Sequence, residues 1–164
     1  MQATHAAAIA AAVLAAFPAA AQVSNHGIAV ESGVSTPLGG GSEPALAAAL
    51  SASTWLDGDV EGTARVAWGS AGATGGRAAA SFLSGTVGVR VSLGHGPLRP
   101  QVFAEVGWAR AEADGVASDR AAFGAGAALE WFPAAEISLA PRVAIRAVGG
   151  EARAEVGLAL GVYF

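Results

Sequence analysis

Eleven charged residues that recur at alternate positions are the first candidates for chemistry. They are Glu31, Glu61, Glu105, Glu130 and Glu155, with Arg65, Arg90, Arg99, Arg142, Arg146 and Arg153. Paired carboxylates do general acid–base work when their surroundings separate their proton affinities. Guanidinium groups clamp carboxylates through a bidentate fork. The same set can be purely structural, because ion-pair networks perturb titration without catalysing anything, and the structural reading is the one the sequence favours. Other chemistry is sparse. The three histidines, His5, His26 and His95, are far apart in the chain, and His95 sits in a short Gly-rich turn. Asp57 and Asp59 flank Gly58 in a turn too short to enclose a cation. The Gly-rich runs 38–41 and 72–76 lack the Gly-Lys-Ser/Thr and the helix of a phosphate-binding loop. No catalytic, metal or cofactor site is expected.

Composition narrows the class. The chain of 164 residues has no cysteine, which rules out disulfides, thiolate metal sites and a lipid-anchored cysteine. It has no lysine either, so all nine basic residues are arginine, and they are scattered at a net charge of -4. No basic stripe points to nucleic acid. Hydrophobic residues make up 53%, much of it alanine, beside 23 glycines. That mixture suits neither a disordered chain nor an ordinary helical globule.

The elements that carry the charged residues are strands. Residues 6–22 form the one long uncharged apolar run, too short and alanine-rich for a membrane helix. Pro18 precedes the small residues Ala19, Ala20 and Ala21, so residues 1–21 read as a secretory signal peptide cut after Ala21, despite an n-region (MQATH) without Lys or Arg. The alternative is an Ala-rich N-terminal helix. Residues 22–164 then form one domain. They alternate with period two, which a helix of period 3.6 would scramble. Val156, Leu158, Leu160, Val162 and Phe164 share one face, and Glu155, Gly157, Ala159, Gly161 and Tyr163 the other. The same pattern predicts strands over 26–35, 45–56, 59–68, 82–93, 98–110, 119–132 and 135–147, with the first the weakest. Tight turns at 57–59, 94–97 and 132–134 alternate with longer connections at 36–44, 69–80, 112–119 and 148–152. Pro141 falls inside a strand, where a bulge or a broken ladder bond is expected.

The polarity of the two faces decides between a soluble sheet and a membrane barrel. One face carries Val, Leu, Ile, Phe and Trp; the other carries Gly, Ala and Ser with the charged set. An eight-stranded barrel is just wide enough inside for side chains to fill, and small residues with Arg–Glu pairs suit that space. In hydrocarbon only helices and closed barrels satisfy every backbone polar group. The expected fold is therefore all-β, an eight-stranded antiparallel up-and-down transmembrane β-barrel, with its apolar face to lipid. Aromatic girdles are expected from Trp68, Trp108 and Phe123 at the loop end and from Trp131 with Phe164 at the turn end. Arg110 has outward parity at the loop end, where it can reach headgroups.

The terminal segment EVGLALGVYF resembles the C-terminal signature of outer-membrane barrels: a last Phe with apolar residues at every second position before it. Val156, Leu158, Leu160, Val162 and Phe164 match that pattern. The segment PQVFAEVGW (100–108) looks like the fifth strand of the OmpA-like and opacity-protein barrels, with Glu105 a departure where a small residue is commoner. The resemblance covers residues 22–164 in architecture. It implies a Gram-negative outer membrane reached by signal-peptide export, contact with outer-membrane lipid and lipopolysaccharide, recognition by the barrel-assembly machinery through Phe164, and a monomer; no peptidoglycan-binding domain is expected after the last strand. The filled lumen and the lack of a catalytic constellation lead to the expectation of a non-enzymatic protein of the envelope or cell surface. A narrow channel for ions or small solutes is the alternative, and surface adhesion through the loops ranks below both. A lipid A deacylase, also a small barrel, needs a His-x-Ser pair that this chain lacks.

Overall fold

The computed structural model describes residues 26–39, 44–71, 80–113 and 115–164. The proposed signal segment 1–21, His5 and most of the two Gly-rich runs lie outside them. Eight strands follow in order: β1 (His26–Pro37), β2 (Ala45–Asp57), β3 (Val60–Ala71), β4 (Ala80–Ser92), β5 (Leu98–Ala113), β6 (Val116–Ala134), β7 (Ile137–Val148) and β8 (Glu151–Tyr163). Each pairs antiparallel with its neighbours in sequence, and β1 pairs with β8, so the sheet is a closed barrel. At the seam His26 and Phe164 exchange both backbone hydrogen bonds, at 3.1 and 2.9 Å.

The stagger follows from the register. The partners Gly27, Ser53, Thr63, Gly88, Glu105, Gly124, Arg146 and Arg153 lead once round the wall and return to β1 at Pro37, ten residues above the start. Ten residues of rise spread over eight strand spacings tilt the strands by roughly 40° from the barrel axis.

The alternation read from the sequence is the alternation of the wall. Leu158, Leu160 and Val162 are exposed by 45, 55 and 49%, while Glu31, Arg65 and Glu130 keep 5, 7 and 2%. The apolar face looks outward and the charged face inward, the reverse of a water-soluble sheet. Pro141 interrupts the β6–β7 ladder as expected: partners run from Ala122↔Val148 to Ala128↔Arg142 and resume at Trp131↔Leu139, with a register shift before Ala134.

Two connections are shorter than the sequence reading had them. Residues 112–119 are mostly strand, since β5 runs to Ala113 and β6 starts at Val116. The 148–152 connection is a two-residue turn, Gly149-Gly150, with φ of +58° and +93°. A tight hairpin wants positive φ at both central residues, and two glycines supply it without strain.

Candidate functional site

Period two sends every second side chain inward, and the register decides which inward groups meet. The small residues decide how far each can reach. Glu31 on β1 is flanked across the ladder by Ala49 on β2 and Ala159 on β8. With only methyl groups beside it, arginines two strands away on either side arrive at its carboxylate. Arg65 Nε of β3 donates to Glu31 Oε2 at 2.8 Å, and Arg142 of β7 is ion-paired with the same oxygen. Glu105 on β5 lies between Gly88 and Gly124. The carboxyl that departs from the family pattern is thus accommodated by two glycines. Arg146, the next inward residue across Gly124, is ion-paired with it.

The contacts form two layers. The upper one is continuous: Arg142 and Arg65 share Glu31, Arg65 Nη2 lies 3.6 Å from Glu155, Arg146 Nε donates to Glu155 at 2.6 Å, and Arg146 also meets Glu105. Thr86 Oγ1 donates to Glu105 at 2.7 Å and ends the chain. Arg142 also lies over the Phe103 ring, 4.6 Å from its centroid, a cation–π arrangement. A cavity of about 20 Å³ sits among Glu31, Arg65, Arg142 and Glu155, room for about one water molecule.

The lower layer, toward the short turns, is built around Gln101. Its amide Nε2 donates to Glu130 at 2.7 Å, and Arg90 Nη1 donates to its Oε1 at 3.3 Å. Tyr163 O–H donates to the other Glu130 oxygen at 2.7 Å. Glu61 has no solvent exposure and lies 3.3 Å from Arg90, outside hydrogen-bonding alignment. Below it Arg99 stacks on Phe132 at 4.4 Å, and Phe132 meets Tyr163 at 5.4 Å.

All eleven residues singled out from the sequence have inward parity, but residues that face each other across a ladder do not always bond to each other. Arg99 is opposite Glu130, yet its Nε donates to the Gly96 carbonyl at 3.1 Å. Arg146 and Arg153 are opposite each other, and each turns elsewhere: Arg153 donates to Ser35 Oγ at 2.9 Å. Sequence reasoning missed Gln101 and Tyr163 as members of the network. Their inward parity was the signal, but neither carries a charge to draw notice. The aromatic positions divide between the ends of the wall. Trp68, Phe123, Trp131 and Phe164 are about half exposed, while Trp108 is partly covered.

Among the described residues no hydroxyl is hydrogen-bonded to a histidine. His26 tilts against Phe164 at the seam, and His95 Nδ1 is 3.3 Å from Asp59 on the exposed turn end. Among the described residues no three His, Asp or Glu side chains converge as metal ligands.

No protein-family model matches the chain, and no curated protein does. Solved structures do. Neisserial surface protein A (NspA) superposes with a TM-score of 0.69 at 12% identity, covering 85% of this chain and 96% of its own. The fold is that of the small eight-stranded outer-membrane barrels. The N-terminal barrel domain of Pseudomonas aeruginosa OprF matches at a TM-score of 0.58 and 14% identity, over 87% of this chain and 100% of the domain. The outer-membrane enzyme PagL matches at 0.56 and 16%, over 83% and 98%. Identities this low establish the barrel and leave its activity open, since one fold hosts unrelated functions.

Proposed function

We propose that this barrel is a non-enzymatic integral protein of a Gram-negative outer membrane, whose charged interior acts as a permanent plug and whose role is envelope structure or contact through its loop-end rim. The observation that carries this reading is the continuous ion-pair chain from Arg142 to Glu105, which crosses the interior with Arg–carboxylate contacts at its width. Removing water from paired charges is costly, and the pairs persist only where geometry offsets the penalty. A wall that ties three guanidiniums, Arg65, Arg142 and Arg146, to three carboxylates, Glu31, Glu105 and Glu155, across its interior leaves little free width for solute.

The rest of the reading comes from the sequence. Residues 1–21 direct export and are removed. Val156, Leu158, Leu160, Val162 and Phe164 present the signal read by the barrel-assembly machinery. Lipid and lipopolysaccharide surround a monomer whose Trp68, Trp108, Phe123 and Trp131 sit at the two interfaces. The end that carries connections 38–44 and 72–79 faces outward, and the end that carries 58–59, 93–97 and 135–136 faces the periplasm. PagL shows that a small barrel can be an enzyme, but this chain has no His-x-Ser pair to support the lipid-modifying reading.

A second reading, a narrow channel for ions, is favoured by the water-sized cavity beside Glu31, Arg65 and Arg142. Planar-bilayer recording separates the two. The plug gives no discrete conductance at any holding potential; regular single-channel steps that vanish on Arg142→Ala or Glu31→Ala substitution contradict it.

A further inference from the structure

The wall of the barrel is uneven at its loop end. β6 pairs with β5 from its first residue, Val116 opposite Ala113. Its ladder with β7 starts only at Ala122, opposite Val148. Residues 116–121 therefore carry a sheet edge that no described residue pairs with above the β7–β8 turn. The Gly149 N–H donates to the Ala121 carbonyl at 3.2 Å, which fixes the sense of the edge. In an antiparallel strand alternate residues turn both N–H and C=O toward the same neighbour. Asp119 and Ala117 thus present theirs to the open side, while Ser118 and Arg120 give theirs to β5. The stagger of the barrel must be taken up somewhere, and β6 rises above β7 because the Gly149-Gly150 turn ends that hairpin early.

An open edge of this kind is a template for another strand unless proline, a bulge or inward charge blunts it. Segment 116–121 has no proline and no register shift in its pairing with β5, and its one charge of inward parity, Arg120, leans down to the Gly149 carbonyl, away from the backbone of Ala117 and Asp119. Val116 at its tip is 70% exposed. We propose that the Val116–Ala121 edge is a docking strand for an extended segment of another polypeptide, which adds antiparallel to β6 above the β7–β8 turn. Main-chain hydrogen bonds supply affinity in such an addition, and cross-strand side chains supply selectivity. Here Arg110 on β5 stands opposite Asp119, so a basic residue on the far side of Asp119 continues the alternation of charge. An acidic residue is favoured opposite Arg120, whose Nη1 already reaches over the edge to the Gly149 carbonyl at 3.3 Å. A strand running antiparallel to β6 meets Arg120 first and Asp119 next. The partner segment is therefore extended, with an acidic residue followed at once by a basic one. A second copy in the same membrane does not fit, because its β6 runs in the same direction.

The proposal rests on the outward orientation of the loop end given above, and the test separates the two. Short fluorescent peptides of alternating Thr and Val, with Glu-Arg or Arg-Glu at the centre, are titrated against the barrel refolded in phospholipid vesicles and read by anisotropy. The Glu-Arg peptide binds, and the reversed order binds about ten-fold more weakly, the size of two cross-strand charge pairs inverted. Ala117→Pro and Asp119→Pro each remove one edge N–H, leave the β5 ladder whole, and weaken binding by about ten-fold. The Asp119→Arg, Arg120→Glu double variant prefers the reversed peptide. Heat-modifiable migration confirms that each variant folds. Equal binding of both peptides, binding untouched by either proline, or no binding at all overturns the docking strand. Maleimide labelling of a Val116→Cys variant on intact cells, at a position 70% exposed, reports orientation alone. Protection there alongside peptide binding in vesicles overturns the orientation and upholds the edge.

Discussion

Glu31 Oε2 is shared by Arg65, at 2.8 Å, and Arg142, two guanidiniums that reach it from strands on opposite sides of the seam. Neither arginine is on a strand next to β1. The carboxylate is thereby a tie across the interior, and among the described residues it is the one carboxylate within 4.0 Å of the Arg142 guanidinium. Truncating it leaves two buried cations with one partner fewer. Glu31→Ala is expected to lower the unfolding free energy by about 3–5 kcal/mol, the cost of breaking a buried pair from one side. Replacing all three by apolar residues of similar volume, Glu31→Leu with Arg65→Met and Arg142→Met, is expected to recover most of that loss. Denaturant titration of the barrel in vesicles, followed by tryptophan fluorescence, measures both. Additive damage in the triple variant would show that these groups are not one unit.

Two glycines on adjacent strands separate space from conformation. A Cβ on Gly107 would strike the Gly85 carbonyl and stand 2.7 Å from Thr86 Cα, whereas a Cβ on Gly85 meets nothing within 4 Å. Backbone cannot move aside as a side-chain tip can. Gly107→Ala is expected to cost about 1–3 kcal/mol, and Gly85→Ala to stay within about 0.5 kcal/mol. The temperature at which the folded gel band converts to the unfolded one ranks the two. Equal midpoints would mean that β4 and β5 are not this close.

Salt distinguishes enclosed ion pairs from surface ones. The side chains of Arg65 and Glu31 are 8 and 6% exposed. Raising sodium chloride from about 0.1 to about 1 M shortens the screening length from roughly 10 to roughly 3 Å, which weakens pairs that face water and spares those that do not. The denaturation midpoint is expected to stay nearly constant. A steep loss of stability with salt would place the pairs in contact with bulk solvent.

Strand number, strand parity and the inward set were legible in the sequence because period two survives even where contrast is low. Leu158, Leu160 and Val162 alternate with Gly157, Ala159 and Gly161, and nothing but a strand separates them so cleanly. The ends of β5 and β6 were not legible. Ala111, Ala113, Ala117 and Ala121 give no contrast between faces, and Glu112 with Asp119 resembles loop chemistry. Pairing was not legible either. Which arginine meets Glu31 depends on the ten-residue stagger and on Ala49 and Ala159 leaving room, and both are properties of the closed wall rather than of any local stretch.

The outward band makes its own demand on the lipid. Leu158 lies midway along β8 and is 45% exposed. Leu158→Arg is expected to reduce folding stability in phospholipid bilayers by about 2–4 kcal/mol, as for a charge on the lipid face near the midplane. Reversible folding into vesicles reads the difference. A neutral or stabilising effect would mean that this face meets water.

The most direct test uses the absence of native cysteine. Single nitroxide labels at Val143, Ala144 and Ile145 on β7, and at Leu158, Ala159 and Leu160 on β8, report collision with oxygen dissolved in the bilayer. High oxygen accessibility is expected at Val143, Ile145, Leu158 and Leu160, and low accessibility at Ala144 and Ala159, alternating residue by residue. The opposite phase, or equal accessibility along both strands, would contradict a wall with its apolar face in lipid and its charges enclosed.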